Sequence, residues 1–282
     1  METIVRSALG AYLQTCQLAQ LPFTLFQYTT LNEKLNINVV TSLPANETPF
    51  LQYLAIGNGG HEMVVGANNI TVPEPVQHQP TDAALYNQIP FVLRLPTNDL
   101  TTAQQTNYRL RANVVYGGVT YVAYYLKTLD LTTTTGGLTN QTPSMLYNTV
   151  SNGTTTSTAY TYTAANLNPT PPTGSGSTTG NYISATAKLP INFTTFDINE
   201  LLNVANIIYG SQDYAIISEL ALCSGLDGAV SGTFNGVLQN YTEAMAVQVM
   251  TFMNTFYPAV FTTNGINLLV DVGAVEPLFS LT

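Results

Sequence analysis

Apolar and polar positions alternate in short runs along most of the chain, the period-two pattern of half-buried strands. PFTLFQY (22–28), LNINVVT (35–41) and FLQYLAI (50–56) are rich in β-forming residues and are separated by Pro, Asn and Glu. GNGG at 57–60 reads as a turn, HEMVVG (61–66) as the strand after it, and FVLRL (91–95) as another. The sharpest local signal lies at Gly117 and Gly118, which join YRLRANVVY to VTYVAYYLKTLDL. Two β-rich runs joined by a two-residue glycine turn predict a hairpin, with Tyr116, Tyr121, Tyr124 and Tyr125 in cross-strand contacts. Strands are also expected over 181–191, over 215–223 as a buried run, and at INLLVDVG (266–273). YTEAMAVQVMTFMNTFY (241–257) fits both helical and alternating templates; Val247, Val249, Phe252 and Tyr257 favour a strand, and it is read as one.

The period changes at both ends of the chain's interior. Ile4, Val5, Ala8, Leu9, Tyr12, Leu13 and Cys16 recur at helical spacing, predicting a helix over 3–19 capped by Thr3. FTTFDINELLNVANIIYG predicts a helix that begins at Thr195 or Asp197, ends at Gly210 and carries Leu201, Leu202, Ala205 and Ile208 on one stripe. Pro73, Pro75, Pro80, Pro90 and Pro96 exclude long helices nearby. A short one over 82–87, capped by Thr81 or Asp82, still fits. Residues 132–180 are dominated by Thr, Gly and Pro (TTTTGG, SNGTTTST, NPTPPTGSGSTTG), with MLYNTV and AYTYTA as short strands inside. The expected fold is mainly β or α+β, with a β-sandwich-like core, a covering helix and extended loops or arms. Its parts are an N-terminal helix or arm (1–20), a β-rich domain (21–131), a loop excursion (132–180) and an α+β continuation of the same core (181–282). The tail AVEPLFSLT is expected to pack or hang free.

Composition changes this picture in one respect. Charged residues make up 8% of the 282, against about 25% in typical domains. Thr, Asn, Gln, Ser and Tyr must therefore cover the surface. Such a surface suits a chain packed against others, because interfaces favour Tyr and are depleted in Lys and Glu. A net charge of −9 with 7 Lys and Arg argues against phosphate-backbone binding, so no nucleic-acid partner is expected. Arg109 and Arg111 alone lie close together, on one face if they occupy a strand. No run reaches the roughly 18 apolar residues of a membrane span, and polar residues break the opening METIVRSALGAYLQTCQLAQL, so neither a membrane partner nor a secretory leader is expected. The sequons at Asn46, Asn69, Asn140, Asn152, Asn192 and Asn240 are therefore expected to be unused. Cys16 and Cys223 sit in apolar runs and read as buried free thiols.

Candidate chemistry is sparse. His61 with Glu62, and Glu74 with His78, are potential metal ligands, but the second histidine of a zincin helix is missing. Cys223 is the best nucleophile by position, yet nothing near it in sequence would lower its pKa. Neither GNGGHEM nor GSGSTTG carries the Lys-Ser or Lys-Thr of a phosphate loop. Asp197, Glu200, Asp213, Glu219 and Asp227 cluster in one third of the chain, a supply of acids from which a carboxylate pair for glycoside hydrolysis is drawn in other enzymes. Asp197 and Glu200 are better explained as charges at a helix N-terminus. The reading is therefore of a non-enzyme with no catalytic, cofactor or metal residues.

Several phrases resemble virion structural proteins of contractile-tailed bacteriophages: QYLAIGNGGHEMVVG (52–66), PEPVQHQPTDAALYNQIPFVLRL (73–95), YRLRANVVYGGVTYVAYYLKTLDL (108–131), LNPTPP (167–172), YAIISELALCSGLD (214–227) and VGAVEPLF (272–279). The resemblance spans most of the chain and carries no catalytic residue. It implies a component of tail, baseplate, neck or capsid, located in the virion, with other virion proteins and copies of itself as partners.

Overall fold

A computed structural model describes residues 3–66, 69–129, 143–167, 169, 176–234, 237–261 and 265–281. The chain is mostly β, with antiparallel sheets and few helices. It forms two compact units, Met1–Asp130 with Phe193–Ile266, and Leu131–Asn192 with Asn267–Thr282. The span 181–282 is divided between them.

In the first unit, β1 (Thr3–Arg6) leads into α1 (Ala8–Ala19) and α2 (Leu31–Leu35). Next come β2 (Phe50–Gly57), β3 (His61–Val65), β4 (Thr71–Pro75), β5 (Gln88–Ile89), β6 (Val92–Arg94), α3 (Thr102–Gln105), β7 (Tyr108–Tyr116) and β8 (Val119–Thr128). After the second unit's β9 (Ser144–Ser151), β10 (Thr154–Ala159) and β11 (Gly176–Phe193), the chain returns through α4 (Thr195–Tyr209), β12 (Ile216–Phe234) and β13 (Val237–Pro258). It ends in β14 (Ile266–Leu281).

The main sheet runs β1-β13-β12-β2-β8-β6, with β5 on β2 and β7 on β8. The expected hairpin forms, with Tyr116 opposite Val119 and φ of 57° and 79° at Gly117 and Gly118, the left-handed pair of a type I′ turn. The ambiguous 241–257 run is strand, since β13 pairs with β12 over its whole length. Its outer edge is closed by side chains as well as by β1. Asn32 Oδ1 accepts from Val247 N (2.9 Å), and its Nδ2 donates to Ala244 O (2.9 Å). Asn32 thus stands in for a neighbouring strand at a bulge where Ala246 takes φ 52°. Leu31, Tyr53, Leu93, Leu110, Leu126, Val204, Cys223, Val247 and Phe252 pack the core.

Several expectations need correction. The helix over 3–19 starts at residue 8. Ser7 is its cap, accepting from Gly10 N, and Thr3–Arg6 is an edge strand on β13. A Cβ on Gly10 would stand 2.5 Å from Met250 O, so that close approach requires glycine. Residues 22–28 and 35–41 are not strands. Thr30 and Glu33 form a capping box that starts α2, and Asn36 ends it at φ 54°. No helix forms over 82–87, because the N–H groups of Tyr86 and Asn87 donate to Glu219. The helix with both ends marked is present as α4, capped by Thr194 with Asp197 and closed by Gly210.

The second unit is a sheet in the order β10-β9-β11-β14. Asn152 and Gly153, at φ 50° and 76°, make the β9–β10 turn. The second short strand expected there is TTTSTA, not AYTYTA. Residues 132–142, 168 and 170–175 of the excursion lie outside the described residues. Residues 274–281, expected as tail, belong to β14.

Candidate functional site

The ionisable residues singled out in sequence all lie in the first unit, where Asp82 and Glu219 meet around His78 and the others take separate partners. His78 lies flat between the rings of Tyr86 and Phe252, with centroids 4.1 Å away on each side. Its Nδ1 is 2.9 Å from Asp82 Oδ2. Its Nε2 is 3.3 Å from Glu219 Oε1, off the line of a hydrogen bond. Asp82 also accepts from Gln79 N at 2.9 Å. Burial raises the Asp82 pKa, but these donors outweigh it and hold the carboxyl below its ordinary range. Glu219 is fully buried on β12 and accepts from Tyr86 N (3.0 Å) and Asn87 N (3.3 Å).

The GNGG turn exists to let the backbone reach this carboxylate. A Cβ on Gly57 would stand 2.2 Å from Glu219 Oε2, and one on Gly60 2.4 Å from Ser218 O. Gly60 N–H donates to Ser218 Oγ at 3.0 Å, and Asn254 Nδ2 donates to Val76 O at 2.5 Å. His61, next in the chain, packs edge-on to Phe256 at 4.8 Å. Burial pushes its pKa down, partly offset by the charge of Glu219.

The other candidates are separately committed. Asp197 completes the Thr194 capping box of α4 and accepts from Lys127 Nζ and Tyr108 OH, both at 2.6 Å. Glu200 binds Arg94 through two bonds of 3.0 and 2.6 Å. Asp227 takes Arg109 through two bonds of 2.9 Å and Tyr53 OH at 2.6 Å. Arg111 reaches a different acid, Asp99, at 2.8 Å. Asp213 sits in a turn with Ser211. Glu243, which sequence reasoning passed over, accepts from Leu110 N (2.5 Å), Arg111 N (2.9 Å) and Ala244 N (2.8 Å). Burial nevertheless pushes its pKa up. Among the described residues, no three His, Cys, Asp or Glu side chains converge to hold a metal. Cys16 and Cys223 are buried free thiols, as expected, and burial pushes Cys223 far above the reactive range.

The chemistry of this arrangement is attachment. Each buried acid ties one segment to another through charge-assisted bonds. The H-x-x-x-D spacing of His78 and Asp82 was readable in sequence as a local pair. Glu219, 133 positions from Tyr86, had no local signal.

All seven basic residues find acceptors within the chain. Arg94, Arg109, Arg111 and Lys127 are paired as above, and Lys188 pairs with Asp271 at 3.1 Å in the second unit. Arg6 donates to Gly10 O at 3.1 Å, and Lys34 donates to Leu85 O. Glu62 and Glu74, by contrast, are exposed and directly opposite one another on the β3–β4 ribbon. No helix among the described residues is long and apolar enough to cross a membrane.

No curated protein matches the chain, and no solved structure does. One family model matches over residues 1–282, and the chain belongs to that family, a family of unknown function designated DUF7208.

Proposed function

We propose that the chain is a structural subunit of a bacteriophage virion, a tail, baseplate or neck component that acts by assembling with other virion proteins and with copies of itself. The observation that supports this best is where the charge goes. The chain has few charges, and its basic residues are bound to acceptors inside it. The charge left exposed is a thin excess of acid, such as Glu47, Glu62, Glu74 and Glu276, on a surface otherwise covered by neutral polar and apolar groups. Large apolar side chains such as Leu18, Tyr28, Leu238 and Phe261 are exposed instead. The phrases that resemble contractile-tail virion proteins point the same way. The role needs no catalytic residue, and the buried acids serve to hold a rigid sheet.

A second reading, a capsid decoration or receptor-binding protein, draws on β10, whose six residues Thr154–Ala159 are all exposed and mostly Thr. Limited proteolysis separates the two. The purified chain is digested alone and within the intact particle, and cleavage over 132–180 is mapped by mass spectrometry. Protection on assembly supports a subunit clasped by neighbours, whereas cleavage in both states supports a surface role. A compact monomer with no affinity for the particle sinks both. Because charged residues make up only 8% of the chain, assembly should change little between low and high salt.

A further inference from the structure

The β3–β4 ribbon carries an unusual combination of features. Its base is anchored: Val76 N–H donates to Gly60 O at 2.9 Å, and Asn254 holds Val76 O. Beyond the base it exposes apolar side chains, with Met63 57%, Val65 65% and Ile70 59% accessible. A two-stranded ribbon with exposed apolar residues is marginal by itself and gains from a third strand.

The two edges of the ribbon differ. Glu62 pairs with Glu74 and Val64 with Val72. Gly66 N–H donates to Ile70 O at 2.8 Å, in phase with the Val76–Gly60 bond. The even-numbered residues of β3 therefore carry the ladder, and Met63 and Val65 turn their N–H and C=O away from β4. On β4 the corresponding outward positions include Pro73 and Pro75, which have no N–H to offer. That edge is closed to strand addition, and among the described residues no strand pairs with the β3 edge, which is open.

Glu62 and Glu74 supply the second clue. Like charges directly opposite on a sheet are unfavourable, and here both are exposed. A second copy of the chain is a poor remedy, because its basic residues are already bound. Pairing two β3 edges would also add two more carboxylates to the same short ribbon.

We propose that the outer edge of β3 takes up an extended segment of a different protein, one that alternates apolar residues with lysine or arginine. Its backbone bonds to Met63 and Val65, its apolar residues cover theirs, and its basic residue lies beside Glu62. This names a partner surface for the assembly reading and rests on that reading for where the segment comes from.

The test has two arms. In the first, the purified chain is titrated with a short capped peptide alternating valine with lysine, and with its valine–glutamate counterpart, while backbone amide signals are followed. The expected result is binding of the lysine peptide about tenfold tighter than the glutamate one, with shifts centred on Met63 and Val65. Val65→Pro removes an outward N–H and spares the ladder, so it should abolish binding while circular dichroism stays unchanged. Glu62→Gln with Glu74→Gln should erase the preference for lysine. Equal binding of both peptides, no binding, or unchanged binding by Val65→Pro overturns the proposal. So does a dimer that Val65→Pro dissolves, which would assign the edge to a second copy. In the second arm, wild type and Val65→Pro are offered to particles lacking the subunit. If both are incorporated equally, the ribbon proposal falls and the assembly reading stands. If neither is incorporated although the lysine peptide binds, the assembly reading falls and the ribbon proposal stands.

Discussion

The two units solve the same problem, holding an antiparallel sheet together, with different means. The unit built on the β1-β13-β12-β2-β8-β6 sheet uses buried charge. Asp197, Glu200, Glu219 and Glu243 are buried and each ties distant segments through hydrogen bonds, and the more exposed Asp227 does the same for Arg109 and Tyr53. The β10-β9-β11-β14 unit has one ion pair between described residues, Lys188–Asp271, with the two side chains 50% and 56% exposed. Its buried polar group is neutral. Asn148 Nδ2 donates to Ser184 Oγ at 3.0 Å, and its Oδ1 accepts from Ser157 Oγ at 2.6 Å, linking three strands. Removing one partner of a buried ion pair leaves an uncompensated charge, which costs far more than losing a neutral bond. The first unit should therefore be brittle to single substitutions and the second tolerant.

The largest break is expected from Asp197→Ala. It removes the acidic half of the α4 capping box, leaving Thr194 as the N-cap, and takes a buried acceptor away from Lys127 and Tyr108. The expected loss is about 3–5 kcal/mol. Urea unfolding followed by circular dichroism and tyrosine fluorescence measures it, since the chain has no Trp. A loss no larger than that of Lys188→Ala, about 0–1 kcal/mol for an exposed pair, would remove the contrast between the units.

Gly57→Ala comes next. Its Cβ would meet Glu219 Oε2 at 2.2 Å and Asn87 O at 2.7 Å, so the turn or the carboxylate must shift, costing about 1–3 kcal/mol. Hydrogen exchange should show the Tyr86 and Asn87 amides opening first. If they stay as protected as in wild type, the glycine is not there to admit Glu219. In the second unit, Asn148→Ala takes away the partner of buried Ser184 and frees exposed Ser157 to water, at about 1–2 kcal/mol. Should it cost more than Asp197→Ala, the ranking of buried charge above neutral polar groups is wrong for this chain.

What the sequence made legible was local. Gly117 and Gly118 announced a hairpin, and Gly210 with the Asp197 region announced α4, because turns and caps are decided within a few residues. Two equally local signals were overlooked: Thr30 with Glu33, a capping box, and Asn152-Gly153, a hairpin turn inside a stretch read as a loop excursion. The helix over 3–19 was drawn too long because Ile4 and Val5 fit helical spacing as well as the strand they form. The acid–base partners were not legible. Arg109 could have met any of several acids, and only the folded sheet selects Asp227, 118 positions away. The candidate site was thus visible as a set of residue types, while its pairing was hidden in tertiary contacts.

The smallest expected effects concern pH, and they again separate the units. His61 in the first unit is held below its ordinary value of 6.5 by burial. Folding prefers the neutral ring, so its contribution is complete above pH 6.5 and diminishes as pH falls below that value, where the unfolded chain binds the proton more readily. Asp227 is raised by burial, but Arg109 and Tyr53 lower it further, leaving it below its ordinary 3.8. Its contribution is therefore present above pH 3.8 and lost in stronger acid. Glu243 acts in the opposite sense, because its raised pKa means that protonation eases a buried charge as pH falls. The urea midpoint of the first unit should decline gently from pH 7 to about 5 and steeply below about 4. His61→Gln should flatten the gentle arm and leave the steep one. A gentle arm that survives His61→Gln would assign it to another group, and an equal decline in the amides of the second unit would show that acid does not distinguish the two.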